Sequence, residues 1–254
     1  MFIKAFGKVN LYLDVLAKRE DNYHEILTLF QSIPDYDEIY LEFSEKEIFE
    51  SEPELQISWN KNIIKKTIDT FKKETGIIDF NLKIKLIKNL PIGGGIGGGS
   101  ADAAAVLNFL SQHFNVSEVD LFEIAEKIGS DVPFLLKGGT AIGRGKGEIL
   151  EFLPPLKLNI ELFTMGISID TKKMYQKIDK NWEYLVHQGD PYKLYTALKN
   201  KDIFMIKKNA FNIFEQVVFD EYPQIKQKKE TLEKDGKTII AMMSGSGSTI
   251  FRVC

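Results

Sequence analysis

Residues 93–99 of this chain read GGGIGGG, so glycine fills six of seven consecutive positions. Glycine loses more conformational freedom on folding than any other residue, which makes such a run costly in an ordinary loop. Without Cβ atoms, the same run leaves a bare backbone that a ligand can approach closely. We therefore expect this segment to bind a ligand rather than to fill a core.

A helix is predicted directly after the glycines. Ser100 is a favourable N-cap residue, and ADAAAVLNFL, residues 101–110, combines strong helix formers with apolar residues at helical spacing. A helix N-terminus presents unpaired backbone N–H groups and the positive end of the helix dipole. The loop and the helix together predict a phosphate-binding site.

Two other glycine-rich sites fit the sequence less well. Gly93, Gly95 and Gly98 satisfy the dinucleotide pattern G-x-G-x-x-G, but that fold needs a buried parallel strand running into the first glycine. Residues 81–91, NLKIKLIKNLP, alternate apolar residues with lysines and end in a proline, which favours a half-exposed antiparallel strand. A Walker loop is excluded because no Gly-Lys-Ser/Thr follows the glycines.

A strand with one polar face is predicted near the N-terminus. Residues 8–15, KVNLYLDV, alternate in polarity, so Lys8 and Asn10 should point the same way, with their Cα atoms about 7 Å apart. A solvated strand face explains this pattern from the residues alone.

Two further segments place polar residues beside regular structure. A helix is predicted over 117–128, with a serine N-cap and a left-handed C-cap at Gly129. Asp131 then reads as the N-cap of another helix, with a proline in its first turn. Residues 244–247, SGSG, lie between two β-rich runs, which predicts a strand, a glycine turn and a strand.

The glycine loop closely resembles the second motif of the GHMP kinases, P-x-x-x-G-[LI]-G-x-[SG]-S-A. The residues on this pattern are Pro91, Gly95, Ile96, Gly97, Gly99, Ser100 and Ala101. The triple-glycine form adds Gly93, Gly94 and Gly98. It is most similar to the branch of the family that phosphorylates the 2-hydroxyl of 4-diphosphocytidyl-2-C-methyl-D-erythritol in the non-mevalonate isoprenoid pathway. The resemblance implies that the whole loop binds ATP, accompanied by Mg²⁺.

The same resemblance implies an α+β fold with two domains. These are a ribosomal protein S5 domain 2-like N-terminal domain that binds ATP and a ferredoxin-like C-terminal domain. Glycines between 138 and 147 predict a β-hairpin, and a new strand begins within 153–163. We expect the domains to span 1–150 and 151–254. Residues 210–219 and 222–234 have helical patterns.

The resemblance also assigns catalytic roles. AFGKVN, residues 5–10, is similar to the family's opening strand, where Lys8 is the catalytic-site lysine and Asn10 contacts the substrate. GSDVPF, residues 129–134, is similar to the segment whose aspartate, here Asp131, is the catalytic residue.

The cytidine end of the acceptor is assigned to three segments. DNYH, residues 21–24, stands where the family has D-G-Y-H, and Asn22 tolerates the positive φ that the glycine would adopt. The residues that the resemblance gives to the acceptor substrate are Tyr23, His24, Thr171, Tyr175, Gly245 and Ser246. For Thr171 and Tyr175 a plain helix start is nearly as good an interpretation.

Two residues outside the loop match nucleotide contacts of similar kinases, Asn62 and Lys88. For the lysine-rich stretch 61–90 as a whole, a solvated face is the simpler interpretation. No metal site is predicted, and Ser100 and Asp102 are only candidate ligands.

Composition agrees with a cytoplasmic enzyme. A net charge of -3 argues against a nucleic-acid partner. A single cysteine, Cys254, excludes an intramolecular disulfide and fits a reducing compartment. His24, His113 and His187 show no ligand spacing. No apolar run approaches the ~20 residues of a membrane helix, and the N-terminus lacks a signal peptide's apolar stretch. We expect a small-molecule substrate, no membrane partner, and a monomer or weak homodimer.

Two alternatives remain open at this point. A GHMP kinase for homoserine or mevalonate would keep the glycine loop and Asp131 but has no reason to carry DNYH. A nucleotide sensor without turnover would keep the loop but need not keep both Lys8 and Asp131.

Overall fold

The computed structural model describes residues 1–254, and it mixes strands and helices along the chain. The strands are β1 (Phe2–Lys18), β2 (His24–Ser44), β3 (Ile48–Glu52), β4 (Asn81–Ile87), β5 (Thr140–Arg144), β6 (Ile149–Leu153), β7 (Ile160–Phe163), β8 (Phe211–Asn212), β9 (Ile240–Met243) and β10 (Ile250–Val253). The helices are α1 (Ile63–Thr75), α2 (Gly98–Phe114), α3 (Glu118–Ile128), α4 (Val132–Lys137), α5 (Thr171–Asn181), α6 (Pro191–Asn200), α7 (Ile203–Asn209), α8 (Glu215–Glu221) and α9 (Pro223–Glu233). The α+β prediction is confirmed.

The chain forms two compact units, and each is assembled from separate segments. Unit 1 contains 1–7, 33–90 and 97–138, and unit 2 contains 8–32, 91–96 and 139–254. The chain changes unit within β1, within β2, on both sides of residues 91–96 and after Gly138. The expected division into 1–150 and 151–254 stays a prediction.

Unit 1 is a sheet covered by helices. Its strand β4 pairs antiparallel with β2 and parallel with β3. Alternate residues of β4 are buried and exposed, as the half-exposed strand prediction requires. The apolar core is formed by buried residues of β2, β4 and helices α1 to α4, among them Ile39, Leu41, Ile68, Phe71, Leu82, Ile84, Val106, Leu107 and Ile124.

Unit 2 contains two sets of strands. The first half of β2 pairs with β5, β5 pairs with β6, and β8 lies parallel to β1. The second set is an antiparallel sheet in the order β7-β10-β9. Both local predictions here are confirmed: β5 and β6 form the glycine-rich hairpin, and β9 and β10 flank residues 244–249.

Four local predictions are wrong. Helix α2 begins at Gly98, so its N-cap is Gly97 and not Ser100; the carbonyl of Gly97 already accepts the N–H of Ala101 at 2.8 Å. Gly129 is extended, with φ -179°, and is not a left-handed cap. Within 210–219, Phe211 and Asn212 pair with β1 instead of continuing a helix. The fourth concerns residues 8–15, whose polar face is buried.

The buried polar face of β1 is explained by what covers it in unit 2. Lys8 is 4% exposed, Asn10 2% and Asp14 3%. Tyr12 contacts the ring of Phe211, with centroids 5.9 Å apart. None of the helices has the length and apolar content that crossing a bilayer requires.

Candidate active site

The glycine segment has a backbone that few other residues could adopt. Gly93, Gly95 and Gly97 have φ of 70°, 77° and 72°, in the left-handed region. The left-handed glycines thus alternate with Gly94 and Ile96, whose φ is not positive. When left-handed and right-handed residues alternate along a chain, successive N–H groups point to one side and form an anion-binding concavity.

The N-terminus of α2 fits phosphate. The first N–H groups of a helix have no intrahelical partner, and in α2 they belong to Gly98, Gly99 and Ser100. Gly99 is exposed, and a Cβ added there would meet only Ile63 Cγ2, at 3.6 Å. The bare backbone at Gly99 is therefore not required by packing within the protein.

Gly95 has a different role, because another loop approaches its backbone. A Cβ at Gly95 would lie 2.1 Å from the carbonyl oxygen of Ser244. Ser244 Oγ donates to the carbonyl of Gly95 at 2.9 Å, and the N–H of Thr249 donates to the carbonyl of Gly94 at 3.2 Å. The loop 244–249 is thus docked on residues 94–95.

Asn212, which was not identified from the sequence, donates hydrogen bonds to the backbone of the 244–249 loop and to the residue before it. Its Nδ2 donates to the carbonyl of Met243 at 2.7 Å and to that of Gly245 at 2.8 Å. Thr171 Oγ1 lies 2.7 Å from Ser246 Oγ, so two residues assigned to the acceptor do meet. A buried asparagine between apolar residues was the only local signal for Asn212.

Lys8 is fixed in place by its neighbours in unit 2. Its Nζ donates to Asn10 Oδ1 at 2.8 Å and to the carbonyl of Gly95 at 3.3 Å. Asn10 Nδ2 donates to Thr28 Oγ1 at 2.8 Å. The predicted same-face pairing of Lys8 and Asn10 is confirmed. Thr28, also missed from sequence, orients the amide so that its oxygen faces the ammonium.

Asp131 immediately precedes α4. It occupies the N-cap position, but its side chain makes no capping hydrogen bond. Its carbonyl accepts the N–H of Leu135 at 3.2 Å. Because capping does not use the carboxylate, the chemical role that the resemblance gives to Asp131 is compatible with this placement.

Lys88 lies inside unit 1 in a cluster with two carboxylates. Its Nζ contacts Asp37 Oδ2 and lies 2.8 Å from Asp102 Oδ2, and its side chain is 6% exposed. Asp37 Oδ1 also accepts the N–H groups of Asn89 and Leu90, at 2.6 and 2.8 Å. Asp37, missed from sequence, therefore holds the chain that enters the glycine segment.

The cluster shifts the pKa values of Lys88 and Asp102. Burial acts to lower the pKa of Lys88, but the two carboxylates outweigh it and the pKa is raised. Burial raises the pKa of Asp102 above its usual value, Lys88 opposes this, and Asp37 adds to it. Two carboxylates that share one ammonium favour retention of a proton by one of them.

The candidate metal ligands do not form a fitting site. Asp102 is buried against Lys88, so a metal ion would compete with an ammonium for its Oδ2. No group of three or more His, Cys, Asp or Glu side chains is placed to hold a metal ion.

Asn62, predicted as a nucleotide contact, caps α1 by accepting the N–H of Ile64 at 2.8 Å.

The residues assigned to the cytosine lie together in unit 2. His24 stacks on Tyr175, with ring centroids 4.5 Å apart and 17° between planes. Tyr23 is 56% exposed, and Lys146 Nζ lies 4.8 Å from the centroid of its ring. Asn22 has the positive φ, 63°, that the turn needs. Tyr175 in turn packs edge-on against Phe214.

The remaining histidines have structural partners. His187 Nδ1 lies 2.9 Å from Asp14 Oδ1, and burial raises the pKa of that carboxyl although the histidine opposes the shift. His113 lies in the last turn of α2 and contacts the ring of Phe43.

Comparison with known proteins decides the family. Residues 62–139 match the model of the GHMP kinases N terminal domain. The chain is 72% identical to 4-diphosphocytidyl-2-C-methyl-D-erythritol kinase of Petrotoga mobilis over 100% of this chain and 98% of that protein. The chain belongs to this kinase family.

Other relatives agree with this kinase assignment. The 4-diphosphocytidyl-2-C-methyl-D-erythritol kinase of Thermotoga maritima is 41% identical over 97% of this chain and 89% of that protein. A crystal structure of 4-(cytidine 5'-diphospho)-2C-methyl-D-erythritol kinase superposes with a TM-score of 0.81 at 31% identity, covering 100% of this chain and 90% of that one. The phosphomevalonate kinase of Streptococcus pneumoniae, in complex with phosphomevalonate and AMPPNP, has a TM-score of 0.70 at 16% identity, covers 100% and 92%, and shares the fold. The predicted GHMP kinase fold is confirmed.

Proposed function

We propose that this kinase transfers the γ-phosphoryl group of ATP to the 2-hydroxyl of 4-diphosphocytidyl-2-C-methyl-D-erythritol. The observation that carries phosphoryl transfer is the open N-terminus of α2, which follows three left-handed glycines and keeps an exposed backbone at Gly99. The acceptor is taken from the names of relatives that are 72% and 41% identical.

The proposed roles follow from the chemistry of each side chain. The N–H groups of Gly98, Gly99 and Ser100 would hold phosphate oxygens. The Lys8 ammonium, oriented by Asn10 and Gly95, would offset negative charge that develops during transfer. Asp131 would orient the acceptor hydroxyl and accept its proton. Bound ATP supplies the phosphoryl group, and the accompanying Mg²⁺ would ride on the triphosphate.

We propose that the residues around His24 and Tyr175 in unit 2 bind the acceptor. Tyr23, which is exposed, and Tyr175 would stack on the base, and His24 would offer a ring nitrogen to its edge. Thr171, Gly245 and Ser246 would contact the rest of the acceptor. We also propose that the protein is cytoplasmic, which its single free cysteine supports. The cysteine does not bear on the oligomeric state, for which we propose a monomer or a weak homodimer.

A panel of acceptors tests the proposal. The protein is incubated with Mg²⁺-ATP and, separately, the cytidine compound, homoserine and mevalonate, and ADP release is followed. We expect ADP only with the cytidine compound. ADP with homoserine or mevalonate would assign the kinase to another acceptor, and ATP binding without turnover of any alcohol would indicate a sensor.

A further inference from the structure

A carboxylate that no motif includes holds His24. Nε2 of His24 lies 2.7 Å from Asp179 Oδ1 in α5, and the His24 side chain is 7% exposed. Asp179 Oδ2 accepts from Lys18 Nζ at 2.6 Å. Burial acts to raise the pKa of Asp179, but the hydrogen bonds from Lys18 and His24 outweigh it, and the pKa lies below its usual value.

An ionised carboxylate only accepts hydrogen bonds. Nε2 must therefore carry the proton of a neutral His24 ring, and Nδ1 is then an acceptor. Nδ1 has no hydrogen-bond partner within the chain. It is not one of the fully buried polar atoms without a partner, so part of it is accessible to solvent. One face of the ring is covered by Tyr175, so the Nδ1 edge is what His24 can offer to a ligand.

We propose that Asp179 is a specificity-determining positioning residue, which fixes His24 with an acceptor at Nδ1 and so selects a base that carries an exocyclic amino group. Cytosine presents an N–H donor where uracil presents a carbonyl oxygen. Against uracil, two acceptors would face each other, and a polar group left unpaired is disfavoured. This inference rests on the proposed function, because it names what distinguishes the accepted base at the same site.

Asp179→Asn provides a test in which the shape of the side chain is kept. Lys18 offers only donors, so the amide oxygen should turn to Lys18 and the amide NH₂ to His24. An NH₂ that donates to Nε2 moves the ring proton to Nδ1. The variant should therefore present a donor at Nδ1, which matches the carbonyl of uracil.

The measured quantity is the ratio of kcat/KM for the cytidine diphosphate-linked and uridine diphosphate-linked acceptors at saturating ATP. We expect the wild type to favour cytidine and Asp179→Asn to lower the ratio by about tenfold or more, with the KM for ATP unchanged. Asp220→Asn, on the exposed face of α8, is the matched control and should leave the ratio alone.

Nitrogen-15 NMR of the His24 ring gives a readout that a merely structural role would not move. We expect the proton on Nε2 in the wild type and on Nδ1 in Asp179→Asn. A proton on Nδ1 in the wild type, or an unchanged ratio in a variant whose proton has moved, would overturn the inference. A wild type that shows no turnover of the cytidine compound would overturn the proposed function, and this selectivity with it.

Discussion

At the scale of single residues, the stability of unit 1 depends on one buried lysine. Lys88 is the only cation hydrogen-bonded to Asp37 and Asp102, and removal of one partner of a buried ion pair leaves uncompensated charge. We expect Lys88→Met to lower the free energy of unfolding by about 3–5 kcal/mol, measured by urea denaturation.

Lys85→Met is the matched control for Lys88→Met. Lys85 lies on β4, its side chain is half exposed, and its nearest carboxylate oxygen is 3.7 Å away. Exposed pairs contribute little, so the change should be within about 0.5 kcal/mol. Equal free energies of unfolding for Lys88→Met and Lys85→Met would show that the contacts of Lys88 with Asp37 and Asp102 do not stabilise unit 1.

The same cluster predicts a pH dependence. Burial raises the pKa of Asp102 in the folded state, so the folded protein binds a proton that the unfolded chain releases near pH 3.9. The stability that Asp102 contributes is full below that pH and is lost as the pH rises through the folded value. Asp102→Asn lacks this loss, so its stability relative to the wild type should increase from about pH 4 upward. Parallel unfolding curves for the two proteins would contradict the raised pKa.

Asp131→Asn tests the proposed proton acceptor. The variant keeps the size of the side chain and, because Asp131 makes no capping hydrogen bond, should leave α4 intact. We expect turnover to fall by about 10²-fold or more, with ATP affinity largely kept, as measured by steady-state kinetics and calorimetric titration. Glu123→Gln, an exposed change in α3, should have normal turnover, and normal turnover in Asp131→Asn would remove that residue from the mechanism.

At the scale of elements, a substitution in the glycine segment can test ATP binding without disturbing the fold, provided that the position is chosen correctly. Gly97 is a poor place for a test, because its φ of 72° would strain any β-branched replacement. Gly99 is better, because it is helical and a Cβ there has only one ordinary contact. Gly99→Ala should keep or raise the melting temperature.

The same variant should weaken ATP binding by about tenfold or more, since a methyl group would stand where phosphate approaches the backbone. Gly236→Ala is the control, because it adds a methyl group in open space, and it should bind ATP normally. Unchanged ATP affinity in Gly99→Ala would place the phosphates elsewhere.

Elements with a local signal could be predicted from sequence. The serine N-cap of α3, with its side chain accepting the N–H of Asp120, and the strands around 244–249 both follow from residues within a few positions. The buried polar face of β1 could not be predicted, because residues 91–96 and 187 that cover it are far along the chain. Asp37 and Asp179 were missed for the same reason, since their partners are 51 and 155 residues away.

At the scale of the whole molecule, neither unit is a continuous stretch of sequence. In unit 2, β8 pairs with β1 through Tyr12 and Phe211. The loop 244–249 binds residues 94–95 through Ser244 and Thr249. The segment 151–254 alone would therefore lose strand pairing on one side and a docking partner on the other.

These contacts make the boundary near residue 150 testable. We expect the fragment 151–254 to lack a cooperative unfolding transition, because apolar side chains such as Phe211 and Met243, buried in unit 2, would be left without part of their cover. Circular dichroism during heating and the dispersion of amide NMR signals measure this, with the full chain as the reference. A fragment with dispersed signals and a sharp transition would establish 151–254 as a domain that folds alone, and the contacts with residues 12 and 94–95 would then be additions to a fold that does not require them.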